Sequence, residues 1–406
     1  MKKSTTAKKT RQALTKNDQE TIRKKAAKQR LTIGLDLGDR SSRYCILDEA
    51  GEVVSENSVP TTKGGLDSLF GKMPSSRVAL EVGTRSPWVS RQLAGLGHEV
   101  IVANPYKVKL ITQSVRKNDR VDAQKLARLA RVDPKLLSPI RHRSAEGQAD
   151  LAVIRARAEL VEVRTGLINC VRGLVKPMGE RLKPCDADQV KESMAESLSE
   201  TAQVVVGPLL KSVETIREQI GVYDRKIEEI AQRYPEVELL TQVYGVGTLI
   251  GLTYILTIED AQRFQHSRDV GAFLGIQPKQ RDSGDSQPEL GISKTGDRLL
   301  RSYLVQAAHC MLRKGAPDSD LRAWGLSKAG GGKRAKRRAL VGMARKLAVL
   351  LHRLWVTGEV YEPLYNRKAA QAAARGKAKA AARGKAKAAA RGKAKVAARG
   401  KAKVAA

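Results

Sequence analysis

The chain has 406 residues and a mass of 44.3 kDa, long enough for two or three domains and at least one substantial core. Seventy-five Lys and Arg against 42 Asp and Glu give a formal charge of +33 and a pI near 10.2, which makes an anionic polymer the expected partner. The longest apolar run, Val243 to Ile258, is too short to span a bilayer, no secretory signal is evident, and four scattered cysteines without a CxxC pair argue for a reducing compartment and against a thiolate zinc site. The five histidines show no metal-ligand spacing.

Charge is concentrated at the ends. Residues 1–30 carry a net +9 and read as a basic disordered arm; residues 367–406 carry +14 without one acid. In the latter, Ala-Ala-Arg-Gly-Lys-Ala-Lys recurs every eight residues, placing Arg375, Arg383, Arg391 and Arg399 in register. Such a segment has no large apolar residues beyond two Val, so it cannot bury a core, and it is expected to be disordered and to bind phosphates by counterion release. The 336 residues between the ends carry only about +10.

Order is expected from Leu31. Strand alternation runs through 31–36, 43–48 and 52–59, with Asp48-Glu-Ala-Gly51 as a hairpin turn. A fourth strand at 78–81, a helix over 87–96, a fifth strand at 99–103 and a helix from Asp119 to Ala130 complete an α/β domain over 31–143. Residues 144–235 read as a helical, coiled-coil region, an antiparallel pair of arms broken near Lys183–Asp188. A mainly α domain follows over 236–366. There Tyr244-Gly-Val-Gly-Thr-Leu-Ile-Gly251 has helix-hairpin-helix character or simply permits helix packing, 280–288 is a polar loop, and 299–311 and 339–356 are amphipathic helices.

The acids carry the chemistry. Asp36 closes an apolar strand ahead of Leu-Gly-Asp-Arg-Ser-Ser, a costly place for a carboxylate unless it meets a cation, a phosphate or backbone amides. Metal-binding ribonuclease H-like and RuvC-like nucleases use that pattern, and so do sugar kinases and actin-like ATPases. Glu81 ends the fourth strand, and Asp119 and Asp122 share one face at the head of a helix. Four such carboxylates suit two Mg²⁺ ions about 4 Å apart, the arrangement that stabilises both oxygens of an in-line phosphoryl transfer. The kinase pattern would need a second copy of the fold, and the sequence shows none.

Ile33-Gly-Leu-Asp36, Leu80-Glu-Val-Gly83 with Ser86-Pro-Trp88, Asn104-Pro105 and Lys117-Asn-Asp-Arg-Val-Asp-Ala123 resemble the N-terminal DEDD domain of the transposases of insertion sequence family 110. Phe273-Leu-Gly-Ile-Gln-Pro278, Asp282-Ser-Gly284, Ile292-Ser-Lys-Thr-Gly296 and Leu300-Arg301 through Ala307-Ala308 resemble that family's C-terminal serine domain. The resemblance covers 31–366 and implies a RuvC-like, ribonuclease H-like catalytic domain whose carboxylates are Asp36, Glu81, Asp119 and Asp122. It also implies a nucleophilic serine at Ser283, with Ser286 as the alternative. The expected activity is excision and integration of an insertion sequence by Mg²⁺-assisted phosphoryl transfer, guided by a structured noncoding RNA. Lys294, Arg298 and Arg301 are placed to neutralise the scissile phosphate, or form an exposed basic face. Lys333, Arg334, Lys336, Arg337 and Arg338 fit a nucleic-acid backbone, DNA or RNA. A homodimer or tetramer joined through the helical region and a cytoplasmic, nucleoid-associated location are expected, with no membrane partner. Two other readings stay open on the residues alone: a RuvC-like Holliday-junction nuclease using water, and a noncatalytic nucleic-acid-binding protein.

Overall fold

The computed structural model describes residues 30–107, 119–281, 283, 286, 288 and 290–368; the side chains of Asp119 and Arg120 are outside that description. The basic arm and the repeat tail therefore lie almost wholly outside the described residues. The chain divides into two compact units, one ending at Ala145 and the other beginning at Glu146.

The first unit is a five-stranded mixed sheet with helices on both faces. Strands β1 (Thr32–Asp36), β2 (Ser41–Leu47), β3 (Val53–Pro60), β4 (Arg77–Glu81) and β5 (Glu99–Ala103) lie in the order β3-β2-β1-β4-β5. The β1–β2 and β2–β3 pairs are antiparallel, while β1, β4 and β5 run parallel. Alternation assigns the faces. Ile33, Leu35, Tyr44, Ile46, Val78, Leu80 and Val102 meet α1 (Lys63–Phe70) and α2 (Ser86–Gly95) through Leu66, Phe70, Val89 and Leu93. Cys45, Leu47, Ala79, Ile101 and Ala103 face the other way, toward Ala123, Leu126, Ala127 and Ala130 of α3 (Asp119–Val132).

Small residues line the α3 side, and the approach is close. A Cβ on Gly34 would fall 1.9 Å from the Ala123 carbonyl oxygen and 2.5 Å from the Ala127 nitrogen, so glycine is required there. Arg77, at the start of β4, donates from Nη1 to the Ala130 carbonyl at 3.1 Å. With Ala123 over Gly34 and Ala130 over the start of β4, α3 runs antiparallel to β1 and β4. Its first turn lies at their carboxyl ends.

The strands fall within about two residues of their sequence expectation, but α1 lies where no element is expected, and Gly64 and Gly65 near its start are poor helix formers. Thr62 supplies the cap, its hydroxyl accepting from the Gly65 amide at 3.1 Å.

The second unit is helical. Helices α4 (Ala145–Val175) and α5 (Glu200–Ala231) form an antiparallel pair. Ile168, Val171 and Val175 of α4 share a buried cluster with Val206, Leu210 and Val213 of α5. The pairs Arg157–Asp224, at 2.6 Å, and Arg233–Asp150, at 2.6 Å, hold the opposite end. Between the helices, 176–199 is a compact segment of short 3₁₀ turns, broader than the break expected at 183–188.

A larger core joins the bases of α4 and α5 to α6 (Glu236–Thr241), α7 (Thr248–Ile258), α8 (Arg298–Met311), α9 (Asp320–Ala329) and α10 (Gly332–Thr357). Helix α7 is buried on every side from Gly251 to Ile258. In the stretch from Tyr244 to Gly251, Gly245 and Gly251 serve packing, since a Cβ on Gly245 would lie 3.0 Å from the Ala307 carbonyl and one on Gly251 would lie 3.3 Å from Val237 Cγ1, whereas a Cβ on Gly247 would meet nothing within 4 Å. Helix α10 begins at Gly332 rather than near Ala339. Its first two turns are Lys and Arg, good helix formers that carry no apolar periodicity. Among the described residues no helix is long and apolar enough to cross a membrane.

Gly34→Ala forces the α3 backbone off the sheet. It is expected to destabilise the protein by about 1–3 kcal/mol or more in urea unfolding, as overpacked core positions do.

Candidate active site

Leu35 of β1 pairs with Leu80 of β4, so Asp36 and Glu81 follow side by side at the ends of adjacent parallel strands. Glu81 is in register with Ala103, which packs on the α3 side. Both acids therefore leave the sheet on the α3 face, and both are half-buried. Directly across the antiparallel ladder from Asp36 stands Arg43, an exposed cation on the same face. Sequence reasoning missed Arg43, because the β1–β2 register that pairs it with Asp36 is set by the whole hairpin and not by any local motif.

Asp119 is the first residue of α3, and Asp122 precedes the Ala123 that covers Gly34. At 1.5 Å per helical residue and about 3.3 Å per strand residue, this first turn reaches the level of Asp36. The Asp122 side chain is partly exposed, with Oδ1 3.7 Å from Lys125 Nζ, a loose pair one helical turn away. Among the described residues no three His, Cys, Asp or Glu side chains are gathered tightly enough to hold a metal ion. The structure thus brings Asp36 and Glu81 together and puts the turn bearing Asp119 and Asp122 beside them. Hard oxygen donors on one partly open edge fit Mg²⁺ in chemistry.

Two further contacts fix the loops that carry these acids. Arg85, just before α2, donates from Nε at 3.1 Å and Nη2 at 2.5 Å to Asp39 Oδ1, linking the turn after β1 to the turn after β4. The Arg85 guanidinium holds the Asp39 carboxyl below its ordinary range. Ser86 is fully buried; its hydroxyl donates to the Gly83 carbonyl at 2.8 Å and accepts from the Gly83 amide at 3.0 Å. Its one proton is thereby used, so the 2.9 Å contact with His142 requires His142 Nε2 to be the donor. Burial pulls the His142 pKa down, and Arg91 and Arg143 add to the effect. The Ser86-Pro-Trp88 motif marked this turn in the sequence, but its partner His142, 56 residues on, carries no signal of its own.

The serine segment belongs to the second unit. Among the described residues of the polar loop, two isolated antiparallel bridges make a hairpin-like pairing and no regular strand. Pro278 bridges Ile292, and Ser283 bridges Ser286 at the tip with reciprocal amide–carbonyl bonds of 3.2 and 3.1 Å. An antiparallel pair projects both side chains to one face, so Ser283 and Ser286 stand side by side, both exposed. The hairpin base is clasped tightly. A Cβ on Gly275 would lie 2.5 Å from the Thr295 nitrogen, and one on Gly296 would lie 2.2 Å from the Phe273 carbonyl. Arg301 Nη1 donates to the carbonyls of Leu274, at 3.1 Å, and Gly296, at 2.6 Å, which commits this cation to bracing the clasp.

Lys294, exposed beside the clasp, is held at φ 59°, left-handed and unusual for a residue with a Cβ, by its amide bond to the Gly275 carbonyl at 3.0 Å. Arg298 is exposed in the first turn of α8. Lys333, Arg334, Lys336, Arg337 and Arg338 are all exposed on the first two turns of α10, which contain no acid. Five cations at the positive end of a helix dipole cost stability alone and favour a polyanion.

Residues 33–178 match a family described as "Transposase", the DEDD type of IS110, and residues 237–323 match the "Transposase IS116/IS110/IS902 family". The chain is 28% identical over 346 residues to the "Transposase for insertion sequence element IS1111A" of Coxiella burnetii, covering 84% of this chain and 93% of that protein. It is 28% identical over 298 residues to the "Probable family 20 transposase" of Pseudomonas aeruginosa, covering 72% and 87%. A third relative, the "Transposase for insertion sequence element IS1328" of Yersinia enterocolitica, is 24% identical over 298 residues, covering 70% and 84%.

Ser86→Ala removes the hub of the turn behind Glu81 and leaves the Gly83 amide and the half-buried His142 without their acceptor. Urea unfolding should show a loss of about 1–3 kcal/mol.

Proposed function

Since the chain belongs to the IS110 family of transposases and so acts in DNA transposition, we propose that Asp36, Glu81, Asp119 and Asp122 form its metal-dependent strand-cleavage site and that a serine at the hairpin tip is the nucleophile. The observation that carries this reading is the adjacency of Asp36 and Glu81 on one face, at the ends of neighbouring parallel strands, under the first turn of α3. A RuvC-like ancestry fits that arrangement, since the mixed sheet presents its acids where its parallel strands end.

Mg²⁺ held by these carboxylates would supply Lewis-acid stabilisation of the attacking and leaving oxygens. The other parts of the reaction fall to the chain. The serine oxygen attacks phosphorus and forms a phosphoester, and the opposite P–O bond breaks. The leaving strand oxygen takes up the serine's proton and departs as a hydroxyl. Attack by a strand hydroxyl reverses these steps and rejoins DNA without an external energy source. A serine hydroxyl is a weak nucleophile at neutral pH and needs activation by metal coordination or a nearby base. Lys294 and Arg298, exposed at the hairpin base and the head of α8, would hold the phosphate, and the cationic start of α10 would hold the nucleic-acid backbone. Guidance by a noncoding RNA follows from the resemblance of both motif sets and is part of the same proposal, as are the helical pair α4–α5 as the oligomerising arm and a place on the nucleoid.

With DNA carrying the ends of the element, Asp36→Asn is expected to lower Mg²⁺-dependent cleavage by at least 100-fold while leaving DNA affinity within about threefold. Cleavage at the wild-type rate would remove the carboxylate assignment. A covalent protein–DNA adduct, trapped by denaturation, should vanish in Ser283→Ala and persist in Ser286→Ala. The reverse pattern moves the nucleophile to Ser286, and an adduct in the double variant rules out both.

A further inference from the structure

Across the carboxyl edge of the sheet, strand order sets a row of side chains: Arg43 on β2, Asp36 on β1, Glu81 on β4, and then the chain leaving β5. That chain is Asn104-Pro105-Tyr106-Lys107. Tyr106 is 73% exposed, the most exposed tyrosine among the described residues. It is nonetheless held by its backbone. The Tyr106 amide donates to Asn104 Oδ1 at 3.1 Å, and the Lys107 amide donates to the Asn104 carbonyl at 3.1 Å. Asn104 itself donates from its amide to the Leu137 carbonyl at 3.0 Å, and Pro105 fixes φ at the first position of the turn. Residues 105–107 are helical, and a helical turn that presents a large aromatic ring to solvent forgoes the burial that such rings normally supply.

The place of the ring argues for its use. Ala103, the last residue of β5, is in register with Glu81, and the Val82 amide donates to the Ala103 carbonyl at 3.2 Å. Tyr106 begins three residues beyond, within roughly 10 Å of backbone reach from the acid edge. An acidic edge repels phosphate unless cations intervene, whereas a nucleobase is neutral and flat and stacks on tyrosine whatever its identity. Lys107, exposed beside it, suits the phosphate that accompanies such a base.

We propose that Tyr106 is a stacking platform for a base of the DNA strand being cut, seating that strand so that a neighbouring phosphate meets Asp36 and Glu81. The inference rests on the carboxylate reading given above. It makes Tyr106 a positioning residue for single-stranded or locally opened DNA, one that tolerates any base.

The test uses the full-length protein carrying Asp36→Asn, so that no strand is cut, with an oligo(dT) probe containing one 5-iodouracil, at raised salt to weaken contacts from the basic ends. Ultraviolet irradiation is expected to crosslink the probe to the peptide containing Tyr106. In anisotropy titrations Tyr106→Ala and Tyr106→Leu should bind about 5- to 100-fold more weakly, and Tyr106→Phe within about twofold of the parent. Wild-type affinity in Tyr106→Ala, a Phe variant as weak as Ala, or crosslinks only elsewhere would overturn the proposal. The carboxylate reading fails separately, if Asp36→Asn protein still cuts DNA, because the binding and crosslinking arms need no cleavage.

Discussion

The contact on which the first unit depends is the approach of α3 to β1 at Gly34. One missing methyl lets a helix backbone lie against a strand backbone, and small residues at Ala79, Ala103, Ala123, Ala127 and Ala130 extend the contact. Because α3 runs against the direction of β1 and β4, that contact also sets where its first turn falls. The acids on two strands and one helix, separated by up to 86 positions in sequence, share an edge for that reason. The Arg85–Asp39 pair and the Ser86–Gly83–His142 bonds then fix the loops immediately after the strands. A larger residue at Gly34 would disturb both stability and site geometry, although it touches no reacting group.

In the second unit, the serine proposed as nucleophile and its neighbour Ser286 are both exposed. Among its described residues the hairpin-like segment shows two isolated bridges, and its base is closely packed. There Gly275 and Gly296 allow backbone to meet backbone, Arg301 ties two carbonyls together, and Lys294 is held in a left-handed conformation. The proposed division of labour follows from chemistry. In the proposal, carboxylates suited to hard cations lie on a sheet edge, and the serine hydroxyl is exposed in the second unit.

Much of this was legible in the sequence, and the reasons differ by element. Strand alternation located all five strands, and Asp36 and Glu81 stood out as charges closing apolar strands. Helix α1 escaped because two glycines mask its start, and the first turns of α10 escaped because Lys and Arg favour helix without marking a buried face. Arg43 and His142 become visible only through strand register and a contact 56 residues away. Ser283 and Ser286 are inseparable by structure as well, since a bridged pair shares one face. The large net charge is the least specific signal, because most of it lies at the chain ends; the proposed chemistry rests on a handful of acids and a serine in the weakly charged middle.

The central claim is that the carboxylates at the sheet edge bind divalent metal together. Mn²⁺ titration of the full-length protein, followed by the loss of the free-ion electron paramagnetic resonance signal, measures this without DNA or turnover. The account predicts saturable uptake by the wild-type protein that is competed by Mg²⁺ and strongly reduced in Glu81→Gln, with thermal unfolding unchanged. Equal uptake by the wild type and Glu81→Gln would contradict it.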